Sequence, residues 1–157
     1  MDILRRNTDY ALRAMVHLAK HYEDGAVSTG QVAREEEISY QLACKLMQKL
    51  HKNKLVESSM GPKGGFRLSR EPSKITLLEM IQAIQGPIRL NKCLLGVNAC
   101  PRRPDCTVSS KLGDLQEQIT RYLGSISLGD LTQSRKVEAK HNPRVIRDRK
   151  WQAKMKR

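Results

Sequence analysis

A chain of 157 residues with 39% apolar side chains is long enough for one compact domain and a short appendage. Its net charge of +13 predicts attraction to a polyanion, with nucleic acid and an anionic membrane surface as the two candidates. No apolar run approaches the ~18 residues of a membrane span, and the first residues lack the apolar core of a secretory signal, so we expect a cytoplasmic protein without membrane segments.

Three helices are predicted in the first third of the chain. Apolar residues at steps of three and four predict the first helix over about residues 9–22. Residues 28–31 have the form of a capping box, which opens a short second helix ending in the acidic run 35–37. Ser39 is the candidate N-cap of the third helix, which is apolar on one face and polar or basic on the other. Two helices this close indicate a helix-turn-helix, although an ordinary helical hairpin explains the pattern at least as well.

A β-hairpin is predicted directly after these helices. The segments LVESS and FRLSR are suited to strands, and the Gly-rich MGPKGG between them is suited to a turn. A hairpin in this position makes a winged helix, with Lys63 and Arg67 near the tip of the wing. Gly64 and Gly65 would let the backbone approach a duplex closely or adopt positive φ. A plain β-turn with solvated charges is the alternative.

The second half of the chain contains two further helices separated by a loop. A capping box at residues 76–79 opens the helix LLEMIQAIQ, which Gly86 and Pro87 end. Beyond the loop, a seam of apolar residues recurs at steps of four and three: Val108, Leu112, Leu115, Ile119, Tyr122 and Ile126. The seam suits a partner helix, since a symmetric DNA reader needs a dimer contact, but docking onto its own domain would satisfy it equally well. Residues 127–130 could start a last short helix.

The last 23 residues differ in composition from the rest. Residues 135–157 contain ten Lys or Arg and two acidic residues, which gives this segment a net charge of +8. We expect a basic, partly disordered tail that strengthens sequence-independent binding to phosphates. A solubilising or neutral tail is the alternative interpretation.

Three of the four cysteines, Cys93, Cys100 and Cys106, lie in the loop before the seam. Three thiols cannot pair among themselves, and the cytoplasm keeps thiols reduced. The spacings C-x6-C and C-x5-C are too long for a zinc knuckle, so widely spaced soft ligands suit an iron–sulfur cluster better. A zinc site and free or regulatory thiols remain alternatives. Three thiolates without an obvious fourth would leave one iron with an exchangeable ligand, as a sensor requires.

Enzymatic motifs do not stand out in this sequence. There is no recognisable Ser/His/Asp set, phosphate-binding loop or pair of carboxylates, so we expect no enzyme. His17 and His21, one helical turn apart, could bind a metal, although two solvated histidines are the commoner outcome.

The segments NTDYALRAMVHLA, MGPKGGFRL, ITLLEMIQAIQG and the three-cysteine loop resemble the bacterial iron–sulfur transcription regulators of the IscR and NsrR family. The resemblance covers about residues 1–132. It implies a mainly α fold with a small β wing, in which long C-terminal helices cross between the subunits of a homodimer. The implied parts are a winged helix-turn-helix domain over 1–86, a cluster-binding loop over 87–107 and a dimerisation helix region over 108–134. The basic tail over 135–157 lies outside the resemblance.

The resemblance also implies the cluster ligands, with Cys93, Cys100 and Cys106 as three of them. The fourth ligand differs among members, and where some have a histidine this chain has Ser109. In NsrR-like members an aspartate of the first helix is supplied by the other subunit, and Asp9 matches it. We therefore predict Asp9, with Asp105 and Ser109 as alternatives, and favour a labile four-iron cluster over a two-iron one. An ordinary helix N-terminal charge is the other possible role of Asp9.

For DNA reading, the resemblance points to residues of the third helix and the wing: Ser39, Tyr40, Gln41, Cys44, Lys45, Gln48, Lys63, Gly64 and Gly65. Cys44 departs from the family, where a polar or charged residue is common, and packing is its other possible role. The sequence therefore predicts a homodimeric regulator, a repressor, that binds a double-stranded DNA operator and senses nitric oxide, redox or iron status through its cluster. The alternative is a cluster-free regulator that uses thiol switches or a partner protein.

Overall fold

A computed structural model describes residues 3–61, 64–94, 100–101 and 105–133. The described residues form six α-helices, two 3₁₀-helices at Pro72–Lys74 and Lys92–Leu94, and one two-stranded sheet. In chain order the main elements are α1 (Arg6–Lys20), α2 (Thr29–Glu35), α3 (Tyr40–Lys52), β1 (Val56–Ser59), β2 (Gly65–Leu68), α4 (Leu77–Gln85), α5 (Thr107–Ser125) and α6 (Leu128–Thr132). The predicted fold class, mainly α with a small β wing, is confirmed. None of the described helices combines the length and apolar content that a membrane span requires.

Side-chain caps fix where most of these helices begin. Ser39 Oγ accepts from Leu42 N at 3.2 Å, as the sequence predicted for the start of α3. The capping box predicted before α4 is complete, and the structure also has a complete capping box at residues 127–130, where the sequence predicted the start of a last short helix. Ser28 accepts from Gln31 N at 3.2 Å, which is half of the box predicted for α2. Local sequence signals therefore located these helix starts correctly.

The capping box of α4 contains an additional ion pair. Glu79 Oε2 accepts from Thr76 N at 2.8 Å, and Arg70 Nη2 lies 2.7 Å from Glu79 Oε1. Partial burial would raise the pKa of Glu79, but the hydrogen bonds from Thr76 and the nearby Arg70 outweigh it and hold that pKa below its ordinary value. The ionised carboxylate is therefore the form that stabilises the start of α4.

Helix α1 begins and ends earlier than the apolar pattern predicted. The pattern gave about 9–22, whereas α1 has Arg5 as N-cap and His21 as C-cap. Its first turn is polar and so carries no apolar periodicity, yet Thr8 in that turn is fully buried and donates to Gln85 Oε1 at 2.7 Å. The Thr8–Gln85 hydrogen bond, between residues 77 positions apart, thus stabilises a first turn of α1 that the apolar pattern does not predict.

One hydrophobic core joins the helices. Helices α1, α3 and α4 contribute most of it, with Leu128 of α6 fully buried among them. Two backbone bonds attach the segment before α6, namely Leu77 N to Ile126 O at 2.8 Å and Leu128 N to Ile75 O at 2.7 Å. The end of the predicted dimerisation region therefore shares the core of residues 1–86.

The wing is an antiparallel hairpin whose register runs from Val56↔Leu68 to Ser59↔Gly65. Phe66 exchanges two further backbone bonds with Val27, at 2.9 and 2.8 Å. A Cβ on Gly65 would lie 2.3 Å from Val27 O, and one on Gly64 would lie 2.5 Å from Ser59 O. Both glycines are therefore required for the hairpin to close and to pair with the segment before α2.

Helix α5 runs without interruption through Gly113 and divides the predicted seam between two faces. Leu112 and Ile119 are half-buried, and α5 packs against α4. Gln116 adds two polar contacts there, donating to Ile88 O at 2.8 Å and accepting from Leu90 N at 3.0 Å. The outer face of α5, formed by Val108, Leu115 and Tyr122, is 64, 45 and 67% exposed. The half-buried residues are therefore covered by their own chain, and the partner-helix interpretation of the exposed residues stays a prediction.

Candidate DNA interface and cysteine loop

Helix α3 has a buried apolar face and an exposed polar face. Its apolar side chains are buried at Ala43, Leu46, Met47 and Leu50. Five of the side chains predicted to read DNA are exposed on the other face: Ser39, Tyr40, Gln41, Lys45 and Gln48. This is the arrangement that a recognition helix needs in order to enter a major groove. The contact of these side chains with DNA remains a prediction.

Cys44, the remaining predicted position on α3, is half-buried one turn after Tyr40. The hydrogen bond between the two side chains and their electrostatic interaction raise the pKa of Tyr40 above its ordinary value of 10.0. The Tyr40 phenol is protonated at neutral pH, as an ordinary tyrosine is, and can donate to a phosphate or a base edge. Cys44 thus supports the side chain of a neighbouring exposed residue in addition to packing.

The described part of the wing carries charges of both signs. Arg67 lies opposite Glu57 in the hairpin, with Arg67 Nη2 3.1 Å from Glu57 Oε2. The Glu57 carboxylate therefore offsets the charge of Arg67 on this part of the wing. Lys63, the other predicted basic residue of the wing, lies outside the described residues. A DNA contact by Gly64 or Gly65 also stays a prediction, since the hairpin itself requires both glycines.

Arg13 connects the predicted fourth cluster ligand to the helix-turn-helix. Arg13 Nε lies 3.0 Å from Glu36 Oε2 and 3.6 Å from Asp9 Oδ2, and its guanidinium covers the Tyr10 ring at 5.2 Å. Glu36 is the C-cap of α2 and only 9% exposed. Burial raises the pKa of Glu36, and the Arg13 charge opposes that rise. Sequence reasoning missed this link, because Glu36 stands in an acidic run that is typical of a solvated turn.

The three cysteines of the loop are free and half-buried. Cys93 lies in the second 3₁₀-helix, and Cys100 follows the undescribed residues 95–99. Cys106 is the N-cap of α5, where its Sγ accepts from Ser109 N at 3.4 Å. Cys106 therefore lies beside backbone N–H groups that can donate to a ligating sulfur, as its predicted place before a helix implied.

Among residues 3–61, 64–94, 100–101 and 105–133, no three His, Cys, Asp or Glu side chains are grouped closely enough to hold a metal ion. Asp9 is paired with Arg13, Asp105 is exposed, and Ser109 is buried. The chemistry of the donors nevertheless fits an iron–sulfur cluster, since three unpaired soft thiols come from one segment. Within one chain, the described residues do not bring the predicted ligand set together.

His17 and His21 also do not belong to a group of three possible metal ligands among the described residues. The rings of His17 and His21 have centroids 4.7 Å apart, and His21 Nδ1 lies 2.8 Å from Asp24 Oδ2. His17 Nε2 is buried without a hydrogen-bond partner in the described part of the chain. Burial, and then the neighbouring His21 and Lys20 charges, lower the pKa of His17, so its ring is neutral at pH 7.

A helix-turn-helix followed directly by a wing, with a polar helix face exposed beside it, defines a winged-helix transcriptional regulator whose partner is DNA. The comparison with known families agrees. The Rrf2 family, described as iron-dependent transcriptional regulators, matches residues 4–134, and the chain belongs to this family.

Individual relatives are transcriptional regulators, not enzymes, as predicted for this chain. The HTH-type transcriptional regulator IscR of Xenorhabdus nematophila is 34% identical over 128 residues, which are 82% of this chain and 77% of the relative. Among solved structures, T. potens IscR has a TM-score of 0.66 and 26% identity, with 82% of this chain and 84% of that chain covered. CymR, the global cysteine regulator of B. subtilis, has a TM-score of 0.68 and 25% identity, with 84 and 97% covered.

Proposed function

We propose that the chain is a homodimeric repressor that binds a double-stranded DNA operator and responds to nitric oxide, redox state or iron status through an iron–sulfur cluster. The observation that carries this proposal is the position of Cys106. This free cysteine caps the helix whose outer face is exposed, and two more free cysteines precede it on the same loop. The description of the family as iron-dependent supports the same assignment.

Cys93, Cys100 and Cys106 would hold the cluster, and the partner subunit's Asp9 would supply the fourth ligand. A carboxylate is a harder and more replaceable ligand than a thiolate, which suits a labile four-iron cluster. When bound, the cluster supplies iron–sulfur bonds that small oxidants or nitric oxide can break. Ser109 N, which donates to Cys106, would stabilise the charge on that sulfur.

The outer face of α5 supports the homodimer. Val108, Leu115 and Tyr122 follow one another at steps of seven, which is the spacing of a helix–helix contact. Large exposed side chains at this spacing are suited to the same face of a second copy in a two-fold arrangement. Association would remove these side chains from water without disturbing the half-buried side of α5.

A route from the cluster to the DNA-reading helix passes through Arg13. In the single chain, Arg13 contacts both Asp9 and Glu36. If Asp9 ligates the partner's cluster, Arg13 keeps Glu36 as its ion-pair partner and loses Asp9. Because Glu36 ends α2 only three residues before the N-cap Ser39, this change acts on the turn that orients α3. Couplings of this kind typically change affinity about 5- to 150-fold.

The proposal is tested by spectroscopy and DNA binding on the same anaerobic preparations. We expect visible absorption and Mössbauer spectra of a cluster in the wild type, loss of the cluster in Cys106→Ser, and an unchanged cluster in the control Cys44→Ser. A changed spectrum in Asp9→Ala but not in Asp105→Ala or Ser109→Ala would support Asp9 as the fourth ligand. Equal operator affinity with and without the cluster would contradict the sensing function.

A cluster-free thiol regulator is the second candidate. It is favoured by the free, partly accessible cysteines and by the lack of a three-donor group among the described residues. Its fold is also that of CymR, which is named a cysteine regulator. Preparations that contain neither iron nor sulfide after anaerobic reconstitution, but whose DNA affinity changes on thiol oxidation, would establish this alternative.

A further inference from the structure

Met60 is the most exposed large apolar side chain among the described residues. Its relative exposure is 103%, so the side chain is as accessible as in an extended peptide. It directly follows the last residue of β1 and precedes Gly61, which has φ +108° and accepts from Gly64 N at 2.8 Å. The turn therefore begins with an exposed apolar side chain just beyond the end of β1.

The backbone around Met60 is tightly constrained. Ser59 pairs with Gly65 as the last pair of the hairpin, and the space beside Gly64 is too small for a Cβ, which would lie 2.5 Å from Ser59 O. The wing base is fixed by the two Phe66–Val27 bonds. Met60 consequently projects from a supported loop, and its flexible, polarisable side chain can adapt to a narrow binding surface.

A single exposed apolar residue normally needs no explanation. Here, however, the residue stands on the element that a winged helix directs at the duplex beside the recognition helix. Arg67, the basic residue on the described part of the wing, is paired with Glu57. Proteins that contact the minor groove frequently place Met, Leu, Ile, Phe or Pro between base steps and partly unstack them. The Met60 side chain thus offers a mode of DNA contact that the Arg67–Glu57 ion pair does not.

We propose that Met60 enters the minor groove next to the site that α3 reads and acts as a specificity-determining residue. Pyrimidine–purine steps are the most easily unstacked, so Met60 selects such a step at the flank of the operator. This inference rests on DNA binding by the proposed regulator and not on its cluster.

The test is in vitro selection of binding sites from a library of random duplexes. Full-length wild type, Met60→Ala, Met60→Lys and the control Ser58→Ala, a neighbouring exposed residue of β1, are compared. We expect Met60→Ala to retain the bases selected by α3, to lose the preference at the flanks, and to bind the wild-type site about 10-fold more weakly. Ser58→Ala should behave as wild type. Met60→Lys should recover affinity through phosphate contact, with a steeper salt dependence, but not the flanking preference.

A second readout reports on the DNA itself. With 2-aminopurine placed at the selected flanking step, wild type should raise its fluorescence by unstacking the base, and Met60→Ala should not. Identical selected sequences and affinities within about two-fold for wild type and Met60→Ala would overturn the role of Met60 while leaving the proposed function intact. If the wild type enriches no sequence, both this inference and the DNA-binding function fail.

Discussion

Replacing Gln85 by alanine is expected to destabilise the chain by about 2 kcal/mol, because this side chain attaches the start of α1 to the end of α4. Gln85 Oε1 accepts from Thr8 Oγ1 at 2.7 Å and from Arg5 N at 3.0 Å. Gln85 Nε2 donates to Ile3 O at 2.9 Å. These contacts bridge about 80 residues of sequence and close the N-terminus of the chain onto the helix before the cysteine loop.

The expected magnitude follows from which of these groups water can reach. Ile3 and Arg5 are exposed, so water replaces Gln85 there at little net cost. Thr8 is fully buried, and losing the partner of a buried hydroxyl costs about 1–3 kcal/mol. The alanine variant has no long side chain at position 85 to be ordered on folding, so it avoids part of the conformational entropy cost that Gln85 carries. This gain keeps the estimated loss of stability near the middle of that range.

Urea unfolding of the metal-free protein, followed by circular dichroism at one fixed concentration, measures this change. The matched control is Gln82→Ala, an exposed glutamine on the same helix, for which we expect a change within about 0.5 kcal/mol. Thr8→Val removes the hydroxyl with little change of shape, so it should cost much less in the Gln85→Ala background than in the wild type. A Gln85→Ala protein as stable as Gln82→Ala, or additive effects of the two substitutions, would refute the reasoning.

Three further predictions concern the wing, the cap of α4 and the outer face of α5. Gly65→Ala places a Cβ 2.3 Å from a backbone oxygen and should lower the free energy of unfolding by about 2 kcal/mol or more. Gly30→Ala, at a helical site with open space, should be neutral or slightly stabilising. Equal losses of stability in the same urea titration would contradict this prediction. The pKa of Glu79 is lower in the folded chain, so its stabilisation is present above the unfolded pKa and is lost as pH falls through the folded pKa. In urea titrations from pH 5.5 to 3.5, the free energy of unfolding should fall more steeply for wild type than for Glu79→Gln. Parallel dependence on pH for the two proteins would disprove this role of Glu79. Leu115→Asp should convert the proposed dimer to a monomer in analytical ultracentrifugation, while Ser110→Asp, which adds the same charge elsewhere on α5, should leave it dimeric. A dimeric Leu115→Asp protein would contradict the proposed contact through the outer face of α5.

The parts of the fold that the sequence predicts well are those decided by neighbouring residues. The cap at Ser39 and the box at Thr76 depend on atoms three residues away, so their residue types are sufficient to locate a helix start. The apolar stripe of α3 is similarly local, since a helix repeats its faces every three or four residues.

The parts that the sequence does not predict depend on residues far apart in the chain. The Thr8–Gln85 bond and the Arg13–Glu36 pair appear only when the helices are packed, because neither has a fixed spacing or motif. The seam of α5 was predicted as one stripe, but periodicity does not say which neighbour covers which residue. In the structure Leu112 and Ile119 are half-buried, whereas Val108, Leu115 and Tyr122 are exposed. The ligand set of the cysteine loop stays a prediction for a related reason, since its proposed fourth member comes from another subunit.

Both ends of the cysteine loop are attached to the same helix, α5. Gln116 binds the backbone at Ile88 and Leu90, and Cys106 is itself the first cap of α5. These two anchor points are ten residues apart on one helix, or about 15 Å along its axis. Because α5 is one continuous helix, it sets the separation of the two attached ends, Leu90 and Cys106, and this separation does not depend on what the loop cysteines hold.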